Sequence, residues 1–129
     1  MWNARGYKTL LDHARTLIGS AQKRLLVATW TPEATALACN LAAAEERGVE
    51  ITTLCLQGCA LECGGCRGHI FRYRLAPEYA GRWLVLVQDY TEVLAGETGH
   101  ADETLTVRTR QRLLVELSAW YIRHSLALA

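Results

Sequence analysis

Apolar positions in residues 7–22 recur every three or four residues, which is the spacing of an amphipathic helix. A nearly continuous apolar run follows at residues 24–30, and a second short run at residues 49–54 comes after an alanine-rich stretch. Runs of this kind are typical of strands buried on both faces. The pattern therefore predicts strand, helix and strand in a βαβ unit, with parallel strands and a right-handed crossover.

The alanine-rich stretch carries a start signal and a stop signal for one continuous helix. Thr31 is a suitable N-cap, and Pro32 fits the first helical position because its missing N–H costs nothing there. Glu33 suits the positive end of the helix dipole. At the other end, Arg47 precedes Gly48, which can adopt the left-handed conformation that ends helices.

The second half of the chain predicts a sheet followed by a helix. Residues 69–75 alternate imperfectly and suit an edge strand, while residues 83–87 give the strongest strand signal and pair with 92–96 in a hairpin. A short strand at 105–107 precedes a helix over about 109–126. The helix has an apolar arc wider than one packing seam needs. Strands and helices interleave in this way in α/β domains.

Composition places these elements in one domain. The chain has 129 residues, half of them apolar, and 14 Lys plus Arg against 13 Asp plus Glu. This length supports one hydrophobic core without disulfides. The large apolar fraction excludes intrinsic disorder. A net charge of +1 argues against a polybasic surface for nucleic acid or membrane. No apolar run reaches the roughly 18 residues of a membrane span, so we expect a cytoplasmic protein without membrane contact.

Four of the five cysteines lie within twelve residues, which favours a metal over disulfides in a reducing compartment. Cys59, Cys63 and Cys66 are separated by gaps of three and two residues, and such thiolates can converge on tetrahedral zinc. Either Cys55 or His69 is the candidate fourth ligand. The sequence therefore predicts a zinc site in a Cys-rich loop at residues 55–69.

Three alternatives remain open for this loop. Cys55 can be the buried last residue of a strand with the others as loop thiols, the thiols can form a redox switch through disulfides, or four cysteines can hold an iron–sulfur cluster. Cys39 lies on the predicted middle helix, and we expect it to be a small core residue.

Common catalytic motifs are missing from the sequence: it contains no GxSxG, P-loop, HExxH or dinucleotide fingerprint. The chain as a whole resembles half of a phospholipase D-like domain and, more closely, the C-terminal regulatory domain of TrmB-like transcriptional regulators. The residues that carry this resemblance are Tyr7, Leu10-Leu11, Leu25–Trp30, Arg47-Gly48-Val49, Gly81–Asp89, Glu92–Gly96 and the closing helix. It implies an α/β fold with a mixed β-sheet and helices packed on both faces.

The catalytic signature of the phospholipase D family is H-x-K-x4-D, and this chain departs from it. His69-Ile70-Phe71 carries phenylalanine in place of the lysine, and no aspartate follows at the required spacing. The resemblance therefore implies a non-catalytic domain, because the transition-state charge has no cationic partner. The alternative is a phosphodiesterase or nuclease with a degenerate site.

The resemblance also implies partners. TrmB-like regulators carry an N-terminal winged helix that binds DNA, and this chain lacks it, so DNA contact is expected only through a domain outside the chain. Phospholipase D-like halves pair about a two-fold axis, and the apolar arc of the last helix, with Trp120 and Tyr121, suits a homodimer. Packing of these two residues over the sheet is the alternative. A small-molecule or metal effector at the Cys-rich loop would supply the regulatory signal.

Overall fold

The computed structural model describes residues 2–56, 68–72, 82–98 and 104–128. The elements within these residues are, in chain order, β1 (Trp2–Arg5), α1 (Tyr7–Ser20), β2 (Arg24–Thr29), α2 (Thr31–Ala36), α3 (Ala38–Glu46), β3 (Glu50–Cys55), β4 (His69–Arg72), β5 (Arg82–Gln88), β6 (Glu92–Thr98), β7 (Thr104–Thr109) and α4 (Arg112–Leu128).

The strands form one mixed seven-stranded sheet in the order β1-β7-β6-β5-β2-β3-β4. Strands β2, β3 and β4 are parallel, which confirms the βαβ pairing, and the remaining pairs are antiparallel, including the predicted β5–β6 hairpin. β4 lies at one edge, as its imperfect alternation predicts. The opposite edge is β1, which the sequence pattern did not predict.

Helices cover both faces of the sheet, which confirms the predicted layers. On one face, α1, α2 and α3 enclose a core with Leu25, Val27 and Leu86, and on the other face α4 packs over Leu26 and Ala28. Alternate side chains of β2 thus enter two separate cores, and this explains why its sequence is apolar throughout.

The predicted middle helix is wrong in one respect, because it is divided into α2 and α3 at Leu37 (φ −101°, ψ 6°). The break places Leu37 in the core with 1% exposure. The expectation that Cys39 is a small core residue is also wrong, because Cys39 is exposed. The reason is helical geometry: Cys39 is two residues, or about 200°, from the buried Leu41.

The last helix is apolar on two faces. Val115, Ala119 and Ile122 are buried against the sheet, and Tyr121 packs partly against the same core. Trp120 is 61% exposed, so it does not pack over the sheet. Among the residues that the structure describes, no helix has the length and apolar character needed to cross a membrane.

Candidate functional site

The carboxyl ends of β2 and β3 and the amino end of β5 lie side by side. Here the edge of the sheet means this row of strand ends, not the outer strands β1 and β4. Thr29 is the register partner of Cys55, and the antiparallel β5 brings Arg82 to the same edge. This edge also carries Trp30, which caps α2, and Glu33 in the first turn of α2. Polar and aromatic side chains from separate elements are therefore gathered where the parallel strands end, a common location for sites in α/β folds.

A buried ion pair lies at this edge. The Glu33 side chain is 2% exposed, and its Oε1 accepts a hydrogen bond from Arg82 Nε at 2.9 Å. Its Oε2 is also buried and has no hydrogen-bond partner in the part of the chain that the structure describes. The hydrogen bond from Arg82 to Glu33 raises the pKa of the guanidinium. A buried carboxylate of this kind depends on its single cationic partner.

Tyr7, at the start of α1, is the third member of this polar cluster. Burial raises the pKa of its phenol above the usual value, and the negative charge of Glu33 raises it further, against the opposing charge of Arg82. The Tyr7 hydroxyl therefore stays protonated at neutral pH and is not a nucleophile or base there. The cluster of Tyr7, Glu33 and Arg82 stabilises the contact of α1 and α2 with β5.

The phosphodiesterase signature H-x-K-x4-D can be tested against every aspartate in the chain, and none has histidine seven positions or lysine five positions before it. For Asp89, which follows β5, these positions hold Arg82 and Leu84. Arg82 is paired with Glu33, and Leu84 is fully buried in the α1-side core. Arg82 stays protonated and cannot act as the nucleophile, and Leu84 has no charge with which to bind phosphate.

Asp89 itself has a structural role. Its carboxylate accepts hydrogen bonds from the amides of Gln22, Lys23 and Arg24 at 3.0, 2.8 and 2.8 Å. Burial, the largest influence, would raise its pKa, but these hydrogen bonds and the Lys23 charge outweigh burial and hold the pKa below the usual value. Asp89 and Tyr90 both have positive φ, 51° and 55°, as the centre of a tight hairpin does. Asp89 therefore ties the β5–β6 turn to the start of β2.

The candidate metal ligands are only partly described. Cys59, Cys63 and Cys66 lie outside the described residues. Cys55 is buried at the carboxyl end of β3, whereas His69 is exposed at the amino end of β4. Within the described residues, no group of three or more His, Cys, Asp or Glu side chains is placed to hold a metal ion.

The register of β3 and β4 separates Cys55 from His69. His69 is the partner of Thr52, and Cys55 is the partner of Arg72, so the two candidates are three residues, or about 10 Å, apart along the strands. Because side chains alternate along a strand, Cys55 and His69 also point to opposite faces of the sheet. The arrangement favours one of them, not both, as a ligand in a single site.

An apolar groove lies on the α4 face of the sheet, where α4 does not cover β5, β6 and β7. It has a volume of about 430 Å³ and is lined by Trp83, Val85, Ala95, Gly96, Glu97, Leu105 and Val107. Trp83 is fixed in the wall because its Nε1 donates a hydrogen bond to the Tyr121 hydroxyl at 3.2 Å and its ring packs edge-on against Trp30. Sequence patterns did not predict this groove, because its walls come from three strands.

Comparison with known proteins places this geometry in context. No family model matches the chain. The uncharacterized protein YrhO of Bacillus subtilis (strain 168) is 31% identical over 96 residues, which are 74% of this chain and 35% of YrhO. This chain thus spans about a third of the length of that relative.

Solved structures resemble the chain over nearly its whole length. TrmBL2, an archaeal chromatin protein whose structure shows a novel mode of DNA binding, superposes with a TM-score of 0.73 and 18% identity over 96% of this chain and 51% of TrmBL2. NucT from Helicobacter pylori gives 0.69 and 11% over 95% of this chain and 94% of NucT. The phospholipase D family member Nuc from Salmonella typhimurium gives 0.61 and 16% over 97% of this chain and 95% of Nuc. The chain therefore has the phospholipase D-like α/β fold.

Proposed function

We propose that this chain is a non-catalytic regulatory domain of a TrmB-like transcriptional regulator, which senses an effector and dimerises. The observation that carries the proposal is the identity of two residues on β5, Arg82 and Leu84. Counted back from Asp89, the signature would place its histidine and lysine at Arg82, which is paired with Glu33, and at Leu84, which lies in the core. Arginine remains protonated in proteins, and leucine cannot stabilise phosphoryl charge. This supports a domain that keeps the phospholipase D-like fold without the histidine and lysine of the signature.

DNA contact, in this proposal, comes from a part of the regulator outside this chain. The chain spans about half the length of TrmBL2, which the description of its structure connects with DNA binding. The net charge of the chain is only +1, which gives little electrostatic affinity for phosphates. This balance suits a domain that carries the signal and not the nucleic-acid contact.

The apolar groove beside Trp83 supports effector sensing. Small-molecule sites are concave, mostly apolar and about 300–1,000 Å³ in volume, with a few polar groups for orientation. The groove has about 430 Å³ and one carboxylate, that of Glu97, in an otherwise apolar lining. We propose it as the site of a small-molecule effector, with the metal at the Cys-rich loop as the second candidate signal.

The non-catalytic proposal is tested with phosphodiester substrates. We expect no hydrolysis of bis(p-nitrophenyl) phosphate or of single- and double-stranded DNA above the buffer rate, because the sequence contains no H-x-K-x4-D signature. The His69→Ala variant is the matched control, since His69-Ile70-Phe71 is where the sequence places the start of a degenerate signature, and His69 is exposed on β4. Turnover by the unmodified chain that disappears in His69→Ala would contradict the proposal and support a degenerate phosphodiesterase.

A zinc ion held by Cys59, Cys63, Cys66 and either Cys55 or His69 is the proposed metal site. Elemental analysis of protein purified without added metal is expected to give nearly one zinc per chain, because three clustered thiolates bind zinc tightly at neutral pH. Cys59→Ser should remove most of the zinc. Cys39→Ser should not, since Cys39 is exposed on α3 and is not one of the clustered cysteines of residues 55–66.

The same measurement discriminates the alternatives. Less than about 0.2 metal per chain, with all thiols titratable, would exclude the site. Iron with visible absorption would show an iron–sulfur cluster instead. Loss of zinc in His69→Ala but not in Cys55→Ser would assign the fourth ligand to His69, and the reverse would assign it to Cys55.

A further inference from the structure

The outward face of α4 carries an exposed apolar stripe, which we call the outer stripe: Leu113, Leu117, Trp120 and His124. The two leucines are 58% and 52% exposed and Trp120 is 61% exposed. Trp120 and His124 stack with their ring centroids 4.8 Å apart and their planes 9° apart, so the two rings pack against each other on this face. These four residues are spaced four, three and four apart, which is the spacing of the contact positions in paired helices.

The outer stripe is unrelated to the packing of α4 on its own sheet. The buried face of the helix is formed by Val115, Ala119 and Ile122, on the opposite side of the helix. A helix that is apolar on two faces normally buries both of them. Single exposed leucines need no explanation, but a contiguous stripe over three helical turns marks an interaction surface.

We propose that a second copy of this chain packs on the outer stripe, with its α4 antiparallel to the first about a two-fold axis. An axis passing between Leu117 and Trp120 places Leu117 of each copy opposite Trp120 of the other. The same axis places Leu113 opposite His124. The interface is then self-complementary, as a two-fold interface must be. This inference rests on the dimerisation in the proposed function and identifies the surface that performs it.

Charge complementarity selects a second copy as the occupant and fixes its direction. Glu116 and Arg123 are seven residues apart, so they share one flank of the outer stripe, while Leu114 and Tyr121 lie on the other flank. In an antiparallel pair like flanks meet, so Glu116 of each copy faces Arg123 of the other. A parallel pair would set both charges against the uncharged flank. Of the two arrangements, only the antiparallel one sets Glu116 and Arg123 of each copy against an opposite charge of the other. Within its own helix Glu116 also pairs with Arg112 at 3.0 Å, and this exposed contact is compatible with a second cationic partner.

The charged flank also contains a depression for side chains of the second copy. A groove of about 410 Å³ between α4 and the β5–β6 turn is lined by Tyr90, Val115, Glu116, Ala119, Trp120 and Arg123. Arg123 is held over the Tyr90 ring, 4.6 Å from its centroid, and contacts the Tyr90 hydroxyl. Arg123 is thus held in place before association, which lowers the entropic cost of pairing it.

The surface is tested by exchanging one exposed leucine at a time. In analytical ultracentrifugation the unmodified chain is expected to be a dimer at micromolar concentration, and Leu117→Glu is expected to raise the dimer dissociation constant at least about 100-fold. Leu105→Glu is the matched control, because Leu105 is 56% exposed but lies on β7 in the apolar groove beside Trp83. Dissociation by Leu105→Glu alone would place the interface on the sheet and overturn the proposal.

Charge reversal tests the antiparallel direction. Glu116→Arg and Arg123→Glu alone are each expected to weaken the dimer about tenfold or more, because each creates two like-charged pairs across the axis. A mixture of the two single variants should form a heterodimer of nearly unmodified affinity, and the double variant should recover as a homodimer. Failure of both recoveries, with circular dichroism unchanged, would overturn the arrangement.

Oligomeric state is measured independently of catalysis and metal content, so failure here is separable from failure of the proposed function. A chain that stays monomeric at 100-fold above micromolar concentration would overturn the dimer. The phosphodiester and zinc measurements would then still decide the non-catalytic role and the metal site.

Discussion

Replacing Arg82 with methionine is expected to lower the free energy of unfolding by about 3 kcal/mol. The substitution leaves the Glu33 carboxylate buried without its cationic partner, and breaking a buried ion pair from one side costs about 3–5 kcal/mol. Because Arg82 is itself 39% exposed, solvent screens the pair and the lower end of this range applies. Urea denaturation followed by circular dichroism measures the loss.

Arg15→Met is the matched control for Arg82→Met. The Arg15 side chain is 40% exposed, nearly the same as Arg82, but its partner Asp12 is 56% exposed at 3.3 Å. An exposed pair of this kind contributes about 0–1 kcal/mol, so Arg15→Met should change stability little. Adding Glu33→Leu to Arg82→Met should recover most of the loss, because no buried charge then remains. Equal losses in the Arg15 and Arg82 variants would contradict the role of the buried carboxylate.

Gly68→Ala is expected to destabilise the protein by about 3 kcal/mol. Gly68 has φ +75°, a conformation that costs an L residue about 1–2 kcal/mol. A Cβ there would lie 2.0 Å from the carbonyl oxygen of Ile51 and 2.8 Å from its carbonyl carbon, so the backbone of β3 or β4 must shift. Forced overpacking adds about 1–3 kcal/mol. The loss should appear as a lower midpoint in urea with the slope unchanged.

Two other glycines separate the contributions. Gly48 also has positive φ, +92°, but nothing lies within 4 Å of a Cβ, so Gly48→Ala should show only the conformational cost of about 1–2 kcal/mol. Gly19 lies in α1 with open space around it, and Gly19→Ala should stabilise by about 0.5–1 kcal/mol because alanine is the better helix former. If Gly68→Ala costs no more than Gly48→Ala, the close approach of β4 to Ile51 is not maintained in solution.

Local pattern was sufficient for most of the secondary structure. The continuous apolar runs of β2 and β5 predict strands because each face of the sheet has its own core, so both faces of these strands are apolar. β1 was missed because its four residues carry no such alternation and are a strand only through pairing with β7, about a hundred residues later. The break at Leu37 was missed because the residues on both sides favour a helix equally.

The candidate site, too, has one part that local sequence predicts and one part that depends on residues far apart in the chain. The spacing of Cys59, Cys63 and Cys66 is a local signal, so the sequence could predict a metal site, and that prediction remains to be tested. From the sequence, Glu33 only complements the helix dipole, because its partner Arg82 is 49 residues away and on a different element. An acidic residue inside an alanine-rich helix start is a weak signal for burial, and nothing in its neighbours indicates the ion pair.

By itself, then, the sequence determined the elements, the βαβ unit, the hairpin and the α/β class, because hydrophobic periodicity and helix signals act over a few residues. Only the tertiary structure decided which residues meet. It paired Glu33 with Arg82, used Asp89 to tie the turn to β2, set Cys55 and His69 on opposite faces of the sheet, and left Leu117 and Trp120 exposed. These outcomes depend on strand order and register, which bring together residues that no sequence spacing connects.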